Sequence, residues 1–280
     1  MQVRKLSSTD AFVAVDLAGV ERSVGIVRLA PKVLVDGAEL LARATTYAYA
    51  TFGLRIGGAS AGINAKPDAR DAAVTAFCEE VAADVVLGKL HLSPGTGVDP
   101  EELAPLGCEP LDLGLGARGA AVAASAFTGG GTAVVFGAGG DWVERVGPWW
   151  TEAGGTDLLE GGIDADVDVV FLAGKSGFVD HDAAARIKAR AVVPLTPMPI
   201  TAKAYAVLER AGIAFVPDAV SCAAPLLAVA DPAGDPVERV RAAAEELAPS
   251  GPRAWRAMVE KAEAFLGAGP DAIPYGRPLA

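Results

Sequence analysis

Cysteine and histidine are scarce in this chain, with three Cys and two His in 280 residues. Cys78, Cys108 and Cys222 lie far apart, form no Cys-x-x-Cys pair, and have only His91 and His181 to share a metal with. A zinc centre is therefore not expected, and the thiols read as small buried hydrophobes. Long apolar runs are also missing: none reaches the roughly 20 uninterrupted residues of a membrane-crossing helix. Residues 1–8 are basic but lead into polar sequence, not into an apolar stretch with a small-residue cleavage site, so the expectation is a cytoplasmic protein. Basic clusters are lacking too. With 24 Lys and Arg against 35 Asp and Glu, the net charge of −11 repels phosphate backbones, and nucleic-acid binding is disfavoured.

What the chain does have is apolar content, 51% of its residues with a mean hydropathy of +0.34. That is enough to bury one large or two medium cores without disulfides. Short β-like runs at 11–16 and 23–28 precede a helical run over 37–52. Residues 57–62 read as a glycine-rich turn, and Pro67 and Asp68 open a second helix that runs to about Leu87. Pro94, Gly95, Gly97 and Pro100 mark a loop, and an Ala-rich helix ends near the triplet Gly129-Gly130-Gly131. Beyond it, strands at 132–136, 167–172, 191–193 and 214–216 alternate with helices at 182–188 and 201–211. Such alternation argues for a parallel sheet with helices on its faces. A helical pattern over 236–266 follows, with polar turns around Pro249-Ser250-Gly251-Pro252.

Several small constellations carry local chemistry. Gly137-Ala138-Gly139-Gly140-Asp141-Trp142 follows a strand and opens a helix, the setting of a dinucleotide-binding turn. Glu160, 23 residues beyond Gly137, stands where an acid would grip a ribose, or is a solvated loop acid beside Gly161-Gly162. Asp141 puts a carboxylate at the helix N-terminus, where it would satisfy the dipole itself and repel a pyrophosphate. Trp142 occupies the third glycine position, where an indole pushes helix from sheet. Gly58-Ala59-Ser60-Ala61-Gly62 fits the Gly-x-Ser-x-Gly elbow of serine hydrolases, but it follows a helix end instead of a buried strand, so that chemistry is not expected. His91 and His181 read as surface or loop residues, Trp149-Trp150 as packing, and Asp164, Asp166 and Asp168 as a solvated loop ahead of a strand.

Residues 46–63, Thr-Tyr-Ala-Tyr-Ala-Thr-Phe-Gly-Leu-Arg-Ile-Gly-Gly-Ala-Ser-Ala-Gly-Ile, resemble the Thr-Tyr/Trp-Lys helix end and Gly-Gly-Ala-Lys-x-x-Ile signature of the Glu/Leu/Phe/Val amino-acid dehydrogenases. Residues 23–28 are similar to that family's Gly-Gly-x-Arg strand, and 211–220 to its Gly-Ile-x-x-x-Pro-Asp segment. The order and spacing agree over roughly residues 10–230. The resemblance implies an α/β fold: an N-terminal α/β domain over 1–112, a reduced Rossmann-like parallel-sheet domain over 113–235, and a C-terminal helical segment over 236–280 packing back on the cleft between them. It further implies a homo-oligomer, and the residues replaced in this chain add the expectation of a companion of a related active enzyme.

The resemblance also shows what is missing. The family's carboxylate-binding lysine falls on Ala48, its catalytic lysine on Ser60 and its catalytic aspartate on Gly95. The Asn-Ala-Gly-Gly segment has become Cys222-Ala223-Ala224-Pro225, and the loop that meets the nicotinamide falls on the proline-rich 194–199. The substrate cleft implied by the match includes Arg28, Gly57, Gly58, Ser60 and Cys222, and the nucleotide site Gly137, Gly139 and Glu160. Arg28, Arg55, Lys66 and Asp99 are the charged residues near enough in sequence to stand in. The expectation is a small-molecule-binding protein without the family's oxidative deamination, with NAD(P) disfavoured as cofactor; the alternative is an enzyme with repurposed chemistry, NAD(P)-linked or cofactor-free.

Overall fold

The computed structural model describes residues 1–17, 19–137, 141–159 and 161–267. The chain divides into two compact units, one of residues 1–50 with 54–111 and one from residue 112 onward with Thr51–Gly53.

The first unit is built on a five-stranded sheet of β1 (Gln2–Lys5), β2 (Ala11–Val15), β3 (Ser23–Ala30), β4 (Gly57–Asn64) and β5 (Leu90–Pro94), in the order β1-β2-β4-β3-β5. β3 runs parallel to β4 and β5, whereas β2 is antiparallel to β1 and β4. Helices α1 (Val35–Thr51) and α2 (Arg70–Val86) accompany it. Residues 57–62, expected as a turn, instead form most of the central strand β4. Its alternate side chains divide between two faces. Ala59, Ala61 and Ile63 join a core with Phe77, Cys78 and Val81 of α2, while Gly58 and Gly62 sit where neighbours leave no room. A Cβ on Gly58 would lie 1.7 Å from the Ala42 carbonyl oxygen of α1, and one on Gly62 would lie 2.6 Å from the Phe12 ring. The glycines thus serve close packing in a strand and not chain reversal.

The second unit carries a fully parallel sheet of β6 (Gly131–Gly137), β7 (Gly155–Leu159), β8 (Val169–Ala173), β9 (Ala191–Pro194) and β10 (Ala214–Phe215), in the order β10-β9-β8-β6-β7. β8, between two partners, is buried at every residue, as a central parallel strand with both faces covered must be. The helices are α3 (Leu113–Thr128), α4 (Trp142–Glu152), α5 (His181–Ala184), α6 (Ala202–Ala211), α7 (Asp218–Ser221), α8 (Ala224–Ala230), α9 (Pro236–Leu247) and α10 (Ala254–Gly267). Side chains of Asp112, Asp180, Thr201 and Asp235 accept from free N–H groups at the starts of α3, α5, α6 and α9, and Gly129 and Gly212 close α3 and α6 in the left-handed conformation. α5 is one turn, shorter than the expected 182–188, because the chain leaves helical geometry after Ala185. The helical pattern over 236–266 is α9 and α10, divided at the expected turn by a 3-10 stretch, Ala248–Arg253, in which Gly251 is non-helical between prolines.

In this sheet β6 is flanked by β7 on one side and β8 on the other, so the strand order reverses there. Ligands of open parallel sheets bind outside the carboxyl ends of the strands at such a point. The described link from β7 to β8, residues 161–168, holds no helix, in keeping with the smaller sheet expected.

Candidate functional site

In the first unit, α1 and β4 lock together through Thr46. Its hydroxyl accepts from the Gly58 N–H at 2.8 Å and donates to the Ala42 carbonyl at 3.3 Å. That clamp fixes Ala48, on α1, which is 5% exposed, and Ser60, at mid-β4 between Ala14 and Ile26, which is 0% exposed. The Ser60 hydroxyl is buried and finds no partner among the described residues. Gly57 stands at the start of β4, where a Cβ would strike the Ser23 hydroxyl at 2.7 Å.

Arg28, on β3 opposite Gly62, is the charged residue of greatest interest. Its Nε and Nη2 are buried and meet no acceptor among the described residues. Burial lowers its pKa from the usual arginine value. An unmade buried donor costs about 1–3 kcal/mol, and more when charged. Gly95 is held beside it by the loop that follows β5: the Gly95 N–H donates to Val27 O at 2.8 Å and Leu29 N–H to Thr96 O at 3.0 Å. A Cβ at Gly95 would stand 3.3 Å from Arg28 Cγ. Arg28 and Gly95 are thus brought together.

The other sequence-level stand-ins serve the surface. Arg55 and Lys66 are exposed, and Asp99, 78% exposed, caps the 3-10 helix Pro100–Leu106 and lies 3.9 Å from Arg70. Ser60, in mid-strand, is no elbow nucleophile. An open groove of about 350 Å³ in this unit, lined in part by Arg22, His91, Cys108 and Glu109, borders the starts of β3 and β5, away from Arg28 and Gly95 at their far ends. His91 Nε2 meets the Glu109 carbonyl there at 2.9 Å. Of the cysteines, Cys78 is buried as expected, whereas Cys108 and Cys222 are partly exposed.

In the second unit, Gly137 ends β6 with φ 133°, and a Cβ there would lie 1.7 Å from Ala173 O at the end of β8. Only glycine fits at this reversal point. Gly139 and Glu160 lie outside the described residues. Asp141 does not cap α4 with its side chain, contrary to expectation: it takes the Arg145 guanidinium at 2.7 Å, and that pairing lowers its pKa. Trp142 is buried at the first position of α4, and the helix still rests on the sheet, since Trp150 lies edge-on to Phe171 at 5.5 Å and covers Gly155. Trp149 is stacked by Arg118 at 4.9 Å.

The proline-rich segment after β9 is tied down by a residue that sequence reading passed over. Asp218 accepts from the Met198 N–H at 2.8 Å, which holds Met198 at φ 54°. Desolvation raises the Asp218 pKa. The signal lay in the Pro217-Asp218 pair of the matched segment. Next to it, the Ser221 hydroxyl donates to Pro194 O at 2.8 Å and the Cys222 thiol reaches the same oxygen at 3.6 Å. Desolvation raises the Cys222 pKa, so it is held as a thiol and not a nucleophilic thiolate.

Residues 146–224 match the sequence model of the Glutamate/Leucine/Phenylalanine/Valine dehydrogenases. In structure, the chain is similar to the Leu-bound hetero-hexameric glutamate dehydrogenase of Thermus thermophilus, with a TM-score of 0.74 at 19% identity over 94% of this chain and 86% of that one. It is also similar to L-tryptophan dehydrogenase of Nostoc punctiforme, with a TM-score of 0.71 at 16% identity over 95% and 96%. Glutamate dehydrogenase of Plasmodium falciparum gives 0.65 at 14% identity over 92% and 79%. This is the amino-acid dehydrogenase fold. No curated protein matches the chain by sequence. The matched segment of the family begins within α4 and ends at the start of α8, and so takes in Asp218, Cys222 and the loop they secure. On this dehydrogenase fold the side chains at positions 48, 60 and 95 are a methyl, a hydroxymethyl and a hydrogen. Among the described residues, no helix is long and apolar enough to cross a membrane.

Proposed function

We propose that this chain is a diverged relative of the amino-acid dehydrogenases that has lost NAD-linked oxidative deamination and binds a small metabolite. The observation that carries this reading is Ser60. Where the resemblance puts a catalytic lysine, the chain has a hydroxyl at 0% exposure, enclosed by strands on both sides. A positioned acid or base is worth about 10²–10⁴ in rate, so loss of the lysine and the aspartate together leaves little of the family reaction. Ala48 adds the loss of a carboxylate-pairing cation.

A second reading, an active enzyme with repurposed chemistry, draws support from Gly137 at the reversal point of a parallel sheet, a place suited to a nucleotide. Titration with NADH and NADPH, followed by nicotinamide fluorescence, separates the two. No saturable signal, with no NAD⁺ reduction on a panel of L-amino acids, is the expected outcome; saturable binding overturns the first reading. We further propose a cytoplasmic homo-oligomer or a companion subunit of an active relative, a reading that a hetero-hexameric neighbour in fold supports. Light scattering of the protein alone, then mixed with such a relative, tests it.

A further inference from the structure

The core-facing stripe of α2 is complete before the helix ends. Ala73, Val74, Phe77, Cys78 and Val81 are buried, and Val85 packs against the same core. Val86 and Leu87 fall outside the stripe, where a surface helix carries polar residues. They are 85% and 66% exposed, the two highest values among the described large hydrophobic residues, and they are neighbours in sequence. Their placement is firm. The Gly88 N–H donates to Val85 O and the Lys89 N–H to Asp84 O, both at 2.9 Å, and Gly88 turns the chain out of the helix at φ 70°. Single exposed apolar residues are ordinary, whereas a contiguous pair held at the edge of a groove marks a contact surface.

The open groove of about 350 Å³ at the starts of β3 and β5 begins at this pair: Val85 and Gly88, on either side of it, line the groove together with Leu90, Cys108 and Glu109. A projection and a partly apolar recess thus lie side by side on one face, and the projection leaves its own recess open. The charges follow the same division. Lys89 stands next to the projection and Glu109 in the recess, both are exposed, and no salt bridge of the described residues includes either.

We infer that this face joins two copies of the chain about a two-fold axis, with Val86 and Leu87 of each copy seated in the groove of the other and Lys89 of each opposite Glu109 of the other. A second copy is favoured over a foreign protein because one two-fold rotation brings projection to recess and cation to anion at once, and makes every contact twice. The inference rests on the proposed homo-oligomer and adds the surface through which it forms.

Sedimentation equilibrium of the full-length protein over a concentration series tests it. Leu87→Asp should weaken the dimer by about a hundredfold or more, as loss of a central apolar anchor does, with circular dichroism and Tm unchanged because the side chain is exposed. Leu34→Asp, 62% exposed in the wild type but beyond the far end of β3, should leave the dimer as it is. Lys89→Glu and Glu109→Lys should each weaken it by about tenfold, two surface pairs being reversed per dimer, and an equimolar mixture of the two variants should recover wild-type affinity, since each then meets an opposite charge. A dimer indifferent to Leu87→Asp, equal sensitivity to Leu34→Asp, or no recovery in the mixture would overturn this surface while leaving the homo-oligomer standing. A wild type that is monomeric throughout would overturn both. A wild type that is monomeric alone but joins an active relative in a complex that Leu87→Asp abolishes would give the face to that partner, and the inference would fall.

Discussion

Arg28 and Gly95 press against each other at the far ends of β3 and β5: a Cβ on Gly95 would stand 3.3 Å from Arg28 Cγ and 2.9 Å from the Val27 carbonyl oxygen. The second distance is shorter than carbon tolerates against backbone, so the loop is shaped around a hydrogen at this position. The side chains of the dehydrogenase reaction therefore cannot be put back one for one. The double variant Ser60→Lys with Gly95→Asp is expected to show no amino-acid-dependent NAD⁺ reduction, and to lose stability by at least the roughly 1–3 kcal/mol typical of overpacking. Measurable deamination in that variant would count against both the packing argument and the proposed loss of function.

Ser60 gives a test of opposite sign. Its hydroxyl is buried without a partner, so Ser60→Ala removes a desolvation cost and leaves the strand face unchanged in shape. Urea unfolding should place this variant level with the wild type or up to about 1 kcal/mol above it. Gly58→Ala, one pleat away on the same face, should instead cost about 3 kcal/mol, because its methyl would meet the Ala42 carbonyl. A Ser60→Ala variant destabilised by more than that would mean that the hydroxyl does work which the geometry does not reveal.

Much of the fold was legible in the sequence, because the strands expected at 132–136 and 167–172 contain the unbroken apolar stretches 133–136 and 169–172 and are bounded by helix signals. The reversal of strand order at β6 was not, since a parallel strand carries no mark of its neighbours. The misreading of 57–62 has a specific cause. Glycine at every few positions is the mark of a turn, and nothing local distinguishes it from a strand thinned to admit a helix at backbone distance. At the site, the missing lysines and aspartate could be named from the family resemblance alone, but their consequence could not. Whether Arg28 had found a new partner depends on where β3, the loop after β5 and α1 meet, and that is a tertiary fact. Asp218 was overlooked because a lone acid after a proline reads as a helix start, and its contact with Met198 spans 20 residues.

Glu80 makes the acid limb of stability specific. Its carboxylate accepts from the Ser8 hydroxyl and from the N–H groups of Ser7 and Ser8, and these bonds, that from the Ser8 hydroxyl first, hold its pKa at about 2. A depressed folded-state value means that this stabilisation is full above the ordinary glutamate pKa of about 4.3 and is lost as pH falls towards 2. Carboxyl-detected NMR should show Glu80 titrating well below the other glutamates. In Glu80→Gln the fall in stability between about pH 5 and 2 should be shallower, because the amide does not titrate and offers one acceptor in place of two. An unchanged slope would rule out this contact as a contributor.

Asp218 should behave in the reverse sense. Burial raises its pKa, so the folded protein holds this proton more tightly than the unfolded chain does, and stability falls as pH rises from the ordinary aspartate value of about 3.9 through the raised one. Asp218→Asn keeps an oxygen for the Met198 N–H but cannot ionise, and its unfolding free energy should lose that downward component while the loop after β9 stays ordered. Asp218→Ala removes the acceptor as well. It frees Met198 from a left-handed conformation that costs a non-glycine residue about 1–2 kcal/mol, so hydrogen exchange over residues 195–199 should accelerate in the alanine variant alone. Equal exchange in both variants would show that the proline framework, and not the carboxylate, shapes the loop.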